Sequence, residues 1–272
     1  MPHINYQDKK IYYEVHGSGE PLVMLNGLMM STMSWAMFLP ELTKNNQVIL
    51  LDFFDQGKSE QLDSTYQQDI QVEAVNAVVK SLGLTKIHLF GISYGGEIAL
   101  QFALKYGDLV DKLILCNTTA WTSPWLADIG DGWKKSAQLA DAQLFYSVSI
   151  PIIYSPNFYT KHATWMNERK ELLKQVFTPA FLAAMCRLIE SAEGFDVKDQ
   201  LANITATTLI VGSDLDFVTP ATEQLALHQA IFHSAYVEIK NCGHASMYEK
   251  PAEFTTILKG FLATSQAPKI VG

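Results

Sequence analysis

The sequence predicts an α/β fold, a mostly parallel sheet with helices on both faces. Two observations carry this expectation. Short, almost wholly apolar runs recur along the chain, as strands buried on both faces of a parallel sheet require. Longer segments with 3.6-residue periodicity alternate with them, as crossover helices do.

Taken in order, HINYQ and KIYYEVHG, separated at Asp8 and Lys9, read as an N-terminal hairpin. PLVMLN (21–26), QVILLD (47–52), KIHLFG (86–91), KLILCN (112–117), TTLIVG (207–212) and AYVEIK (235–240) read as strands bounded by turn residues. Helical patterns lie at 31–44, 66–83, 94–106, 221–232 and 251–263. The alternation stops between about 118 and 203, a stretch that holds four of the five tryptophans and prolines at 124, 151, 156 and 179. It is expected to be a helical insertion (119–203) broken at those prolines, lying as a lid over a core made of 1–118 and 204–272.

Composition narrows the function. With 272 residues, 48% of them hydrophobic, the chain can bury a large core without splitting into independent domains. A formal charge of −8 disfavours nucleic acid and anionic membrane surfaces as partners. Cys116, Cys186 and Cys242 lack metal-site spacing and read as free thiols of a reducing compartment. The polar start MPHINYQDKK and the lack of a run near 20 apolar residues predict a cytoplasmic protein, with SQAPKIVG as a trailing tail.

In an open α/β sheet, ligands bind beyond the carboxyl ends of the strands. LFGISYGGE (89–97) places Ser93 at such an end, between an apolar strand and a helix. A sharp strand-to-helix turn crowds the backbone, so small residues are needed two before and two after the exposed hydroxyl. Gly91 and Gly95 meet that need. By chance alone G-x-S-x-G arises in roughly one chain in ten of this length, so its context carries the weight.

A serine hydroxyl needs a base. Of seven histidines, only His244 follows the last strand directly and precedes a helix start, with Gly243 giving its loop freedom to aim the ring. An imidazolium needs an orienting carboxylate. Asp214 and Asp216 both follow the penultimate strand; Asp216 is favoured because Pro220 opens the next helix just beyond it, and Asp214 stays an alternative.

The chain order Ser93, Asp216, His244 is that of the α/β-hydrolases. GISYGGEIALQFA resembles their nucleophile elbow, and CGHASMYEKPAEFTTILKGFL resembles their histidine loop and closing helix. The resemblance covers nearly all of the chain outside the insertion. It implies an eight-stranded, mostly parallel sheet and hydrolysis through an acyl-serine intermediate. The insertion is most similar to the lids of small esterases, enol-lactonases, carbon–carbon bond hydrolases and cofactor-free haloperoxidase-like proteins.

The same resemblance places the oxyanion donors on the backbone amides of Tyr94 and Leu28, and it exposes three departures. Asn26 stands where a histidine is common, Phe54-Asp55 where an Arg-Gly pair is common, and Asp216 lies one residue further from Gly212 than usual. An aspartate tolerates positive φ if that turn needs it, and Phe54 would then face the site. Met29 and Met30, with Trp121 and Trp125, are the expected pocket wall, whereas Met24 and Met37 are expected to pack under the helix at 31–44. The expected activity is hydrolysis of a small or medium apolar carboxylic ester, lactone or thioester, with no cofactor or metal. Carbon–carbon cleavage or perhydrolysis on the same triad, and a non-catalytic small-molecule receptor, are the alternatives.

Overall fold

A computed structural model describes residues 3–264; the tail SQAPKIVG lies outside the described residues. The strands are β1 (His3–Tyr6), β2 (Lys9–His16), β3 (Glu20–Leu25), β4 (Asn46–Leu51), β5 (Ile87–Ile92), β6 (Val110–Cys116), β7 (Thr207–Ser213) and β8 (Ser234–Ile239). They form one eight-stranded sheet in the order β1-β2-β4-β3-β5-β6-β7-β8. β1 and β2 form an antiparallel hairpin and β2 runs antiparallel to β4; every other pairing is parallel. The hairpin turn is Gln7-Asp8, one residue earlier than expected, with φ of 49° and 64° that suit a two-residue turn.

The apolar runs read as they do because their alternate side chains enter two cores. Val23, Leu25, Ile49, Leu51 and Leu89 pack on one face, and Leu22, Met24, Val48, Leu50 and Phe90 on the other. The helices are α1 (Leu39–Leu42), α2 (Asp69–Ser81), α3 (Tyr94–Lys105), α4 (Pro124–Gln138), α5 (Ala142–Ile153), α6 (Pro156–Lys161), α7 (Ala163–Val176), α8 (Pro179–Ser191), α9 (Ala221–Ala230), α10 (Ser246–Glu249) and α11 (Pro251–Ala263). α2 and α3 cover the first face; Phe254, Leu258 and Phe261 of α11 cover the second with Trp35 and Phe38.

The helix expected at 31–44 is instead a 3-10 turn, Thr32–Trp35, followed by the single turn α1. Pro40 has no N–H to donate and fits only the first turn of a helix, so the periodic pattern cannot run through it. Met24 is a core residue, but Met37 is largely exposed rather than packed beneath a helix.

Between β6 and β7 the chain makes the five helices α4 to α8. Their neck is closed by backbone pairing: Thr122 N–H donates to Phe195 O at 2.8 Å, and Val197 N–H to Ala120 O at 2.9 Å. Pro124, Pro156 and Pro179 open helices, whereas Pro151 lies inside α5 rather than breaking it. In the last turn a proline forfeits only one ladder bond. No single helix among the described residues is long and apolar enough to cross a membrane.

Candidate active site

Sequence order reverses around β3, which lies between β4 and β5. The loops after β3 and β5 are therefore neighbours at the switch point where ligands bind. Ser93 directly follows β5 with φ 53° and ψ −124°, a backbone state that costs about 1–3 kcal/mol and persists only where the surroundings hold it. Here Ser93 N–H donates to Cys116 O at 2.9 Å, and its carbonyl accepts from Gly96 N–H at 2.8 Å and Thr118 Oγ1 at 2.8 Å. The flanking glycines are a steric necessity. A Cβ on Gly91 would lie 2.3 Å from Gly95 O, and one on Gly95 2.5 Å from Leu25 O.

Ser93, His244 and Asp216 meet in one line of hydrogen bonds. His244 Nε2 lies 2.9 Å from Ser93 Oγ, and Nδ1 lies 2.8 Å from Asp216 Oδ2. The Asp216 carboxylate is fully enclosed. Its Oδ1 accepts from the N–H groups of Val218 and Thr219, both at 2.9 Å, and Oδ2 also accepts from Asn117 Nδ2 at 2.9 Å and Thr219 Oγ1 at 3.1 Å. Asp214 is exposed and instead accepts from Cys242 N–H at 3.2 Å, bracing the histidine loop from outside.

That loop is held against the insertion. Buried Glu249 accepts from Gly243 N–H at 3.1 Å and from Ser155 N–H at 2.7 Å and Oγ at 2.6 Å. Gly243 serves close approach rather than loop freedom: a Cβ there would lie 2.5 Å from Ser155 N.

The loop after β3 carries Leu28 beside Ser93. Asn26 fixes it, donating to Leu51 O at 2.9 Å and Gln56 Oε1 at 3.2 Å and accepting from the Trp35 indole at 2.8 Å. Gln56 completes the brace by donating to Gly27 O at 2.9 Å. Asp55 does adopt positive φ, 68°, and its buried carboxylate takes a two-pronged ion pair from Arg187 on α8, with Nη2 at 2.5 Å. Phe54 packs into the core and does not face the site.

Two cavities meet at Ser93, and Leu28 and Trp133 line both. The smaller, about 100 Å³, holds His244, Met29, Met30, Tyr154 and Arg169. The larger, about 300 Å³, holds Tyr94, Glu97, Leu126, Asp128 and Ile189. Trp121 and Trp125 line neither cavity. The Trp121 indole donates to Glu223 Oε2 at 3.1 Å at the neck of the insertion, beneath Lys198 Nζ. Trp125 is more than half exposed and donates to Phe217 O at 2.8 Å. Trp133, further along the same helix, takes the place expected of them.

Sequence reasoning missed Glu97 and Arg169. A carboxyl in the first turn of an otherwise apolar helix, directly behind the serine, was the available signal for the first. For the second it was rarity: the chain has only two arginines, Arg169 and Arg187. Arg187 is spent on Asp55. Arg169 stacks over the rings of Trp165 and Tyr248, and its buried Nε has no hydrogen-bond partner among the described residues.

Comparison with known proteins agrees with this architecture. Residues 20–251 match the family model described as alpha/beta hydrolase fold. An alpha/beta hydrolase enzyme from a Medee basin deep-sea metagenome library has a solved structure that superposes with a TM-score of 0.97, at 44% identity over 99% of this chain and 100% of that one. The 2-hydroxymuconate semialdehyde hydrolase of a Pseudomonas species is 24% identical over 93% of this chain and 90% of its own. The 3-oxoadipate enol-lactonase 1 of Acinetobacter baylyi is 24% identical over 96% of each chain. The eight-stranded sheet, the strand-end serine and the near-complete family match lead to one identification: this chain is a hydrolase enzyme of the alpha/beta hydrolase family.

Proposed function

We propose that the chain is a serine hydrolase that cleaves a small or medium apolar carboxylic ester, lactone or thioester through an acyl-Ser93 intermediate. The observation that carries this is the continuous Ser93–His244–Asp216 hydrogen-bonded line at the meeting point of two cavities. Ser93 Oγ attacks the carbonyl carbon as its proton passes to His244 Nε2. Asp216 keeps Nδ1–H oriented and stabilises the imidazolium. The backbone N–H groups of Leu28 and Tyr94 donate to the oxyanion; removing one such donor costs about 3–4 kcal/mol in related chemistry. His244 then returns the proton to the leaving oxygen or sulfur, and a water molecule repeats the sequence to free the acid and Ser93.

The helical insertion acts as the lid. Its apolar side chains wall both cavities, one for the acyl part and one for the leaving group. Labelling with a fluorophosphonate tests the nucleophile: wild type is modified and Ser93→Ala is not. Labelling that survives the substitution rejects the assignment. A p-nitrophenyl ester series shows a sharp optimum in acyl length; a flat series rejects the two-cavity reading.

Arg169 favours a second reading, carbon–carbon bond hydrolysis of a carboxylate-bearing substrate on the same triad. The relative that hydrolyses 2-hydroxymuconate semialdehyde acts on a carboxylate of this kind. Under this reading Arg169→Met weakens turnover of a carboxylate-bearing substrate at least tenfold more than that of a neutral ester. Equal losses reject it.

A further inference from the structure

Glu97 lies one helical turn beyond Ser93 on α3, is 4% exposed, and lines the larger cavity together with Ser93. It makes no ion pair among the described residues. Its Oε2 accepts from Gln68 Nε2 at 2.6 Å; Oε1 has no hydrogen-bond partner among them.

The direction of that bond follows from a chain of amides. Gln101 Nε2 faces the backbone carbonyl of Glu97 at 3.3 Å, so that end of Gln101 must be the NH2. The same NH2 faces Gln68 at 2.7 Å, so the Gln68 atom there must be its carbonyl oxygen. Gln68 therefore presents its own NH2 to Glu97, and Oε2 is an acceptor. A proton on Glu97 has one place left, Oε1, the oxygen that no group among the described residues engages.

We propose that Glu97 is a specificity-determining residue that donates a hydrogen bond from Oε1 to an uncharged oxygen, a ketone, ether or hydroxyl, on the substrate portion in the larger cavity. The proposal rests on the Ser93 reading and refines it: the substrate is an ester, lactone or thioester with one oxygenated arm rather than a plain hydrocarbon one.

The surroundings keep the donor protonated. Burial pushes the Glu97 carboxyl up to about 8, against a smaller opposing effect of the Gln68 hydrogen bond. The facing groups are Tyr94 on the same helix, Asp128 and Asp131 on α4, and Glu193 beyond α8; Gln68 at the start of α2 is uncharged. Glu193 is paired with Lys134 at 2.6 Å, and among the described residues no lysine or arginine lines the cavity. Above its pKa a carboxylate there repels the same oxygen.

Two matched substrate pairs test this whichever arm enters the cavity: p-nitrophenyl 4-oxopentanoate against 4-methylpentanoate, and 2-methoxyethyl against butyl butyrate. The readout is the ratio of kcat/KM within a pair, which cancels differences in active fraction. Wild type at pH 6.5 prefers the oxygenated member of one pair by about 3- to 10-fold, and the preference fades above pH 8. Glu97→Gln keeps the Gln68 bond and still offers an N–H, so its preference persists at pH 9. Glu97→Met loses the preference at every pH.

A ratio near one in both pairs, or a preference unchanged in Glu97→Met or equally pH-dependent in Glu97→Gln, overturns the proposal. The Gln variant decides the matter if the Met variant does not fold. Fluorophosphonate labelling of the same samples separates the two failures. A wild type that labels and hydrolyses esters with a flat ratio refutes the role of Glu97 alone, whereas one that never labels refutes the Ser93 reading beneath it.

Discussion

Replacing Asp216 by asparagine isolates the orienting role of the carboxylate. In the folded chain Oδ1 takes two backbone N–H groups, and Oδ2 takes His244 Nδ1, Asn117 Nδ2 and Thr219 Oγ1. An amide oxygen can hold only one of these positions, and the two backbone donors claim it for Oδ1. The new NH2 then points at His244 Nδ1, which must accept, and the ring proton moves to Nε2. That tautomer cannot take the proton of Ser93 Oγ, 2.9 Å away. The expected loss is about 10⁴-fold in kcat, or about 5–6 kcal/mol at 1.36 kcal/mol per decade. Steady-state hydrolysis of p-nitrophenyl butyrate measures it, with thermal unfolding as a check that the fold survives. Asp214→Asn is the internal comparison: its amide oxygen still accepts from Cys242, so activity changes by about twofold or less. A larger loss in Asp214→Asn than in Asp216→Asn refutes the reasoning.

Three further outcomes follow from the packing. Arg187→Met strands the enclosed Asp55 carboxylate and destabilises the fold by about 3–5 kcal/mol, most of it recovered by adding Asp55→Asn; urea titrations that show simple additivity reject the coupling. Glu97 keeps its proton up to about 8 when folded, whereas an unfolded chain releases it near 4.5. Stability therefore falls as pH rises between those values, by at most about 1.4 kcal/mol per unit, and Glu97→Gln removes the slope. Its Tm relative to wild type rises from pH 5 to pH 8; parallel Tm curves contradict the shift. Gly95→Ala sets a methyl 2.5 Å from Leu25 O and 2.6 Å from Asn26 O, with no flexible side chain to yield, so ester hydrolysis is lost with at least about 1–3 kcal/mol of stability. Wild-type turnover in this variant contradicts the close approach.

What was legible in the sequence depends on the range of the physics involved. Ser93, His244 and Asp216 each follow an apolar strand, and a parallel sheet brings such ends to one edge, so their convergence could be anticipated from local pattern. The broken helix at 31–44 was misjudged because apolar spacing outweighed a single proline. The pocket wall was misjudged for a different reason. Trp121, Trp125 and Trp133 share a short stretch, and only the neck pairing and the orientation of α4 decide which ring turns inward.

By itself, then, the sequence determined the sheet, the elbow, and Ser93 and His244 with the acid narrowed to Asp214 or Asp216, because burial periodicity and glycine placement act over a few residues. Tertiary structure alone decided the rest. It joined Asp55 to Arg187 across 132 positions and left Arg169 without a carboxylate partner among the described residues. It also enclosed Glu97 behind Ser93 with one oxygen engaged by Gln68 and the other without a hydrogen-bond partner among the described residues. The partner of a charge, and the cost of having none, is set by which distant elements fold against it and how completely they exclude water.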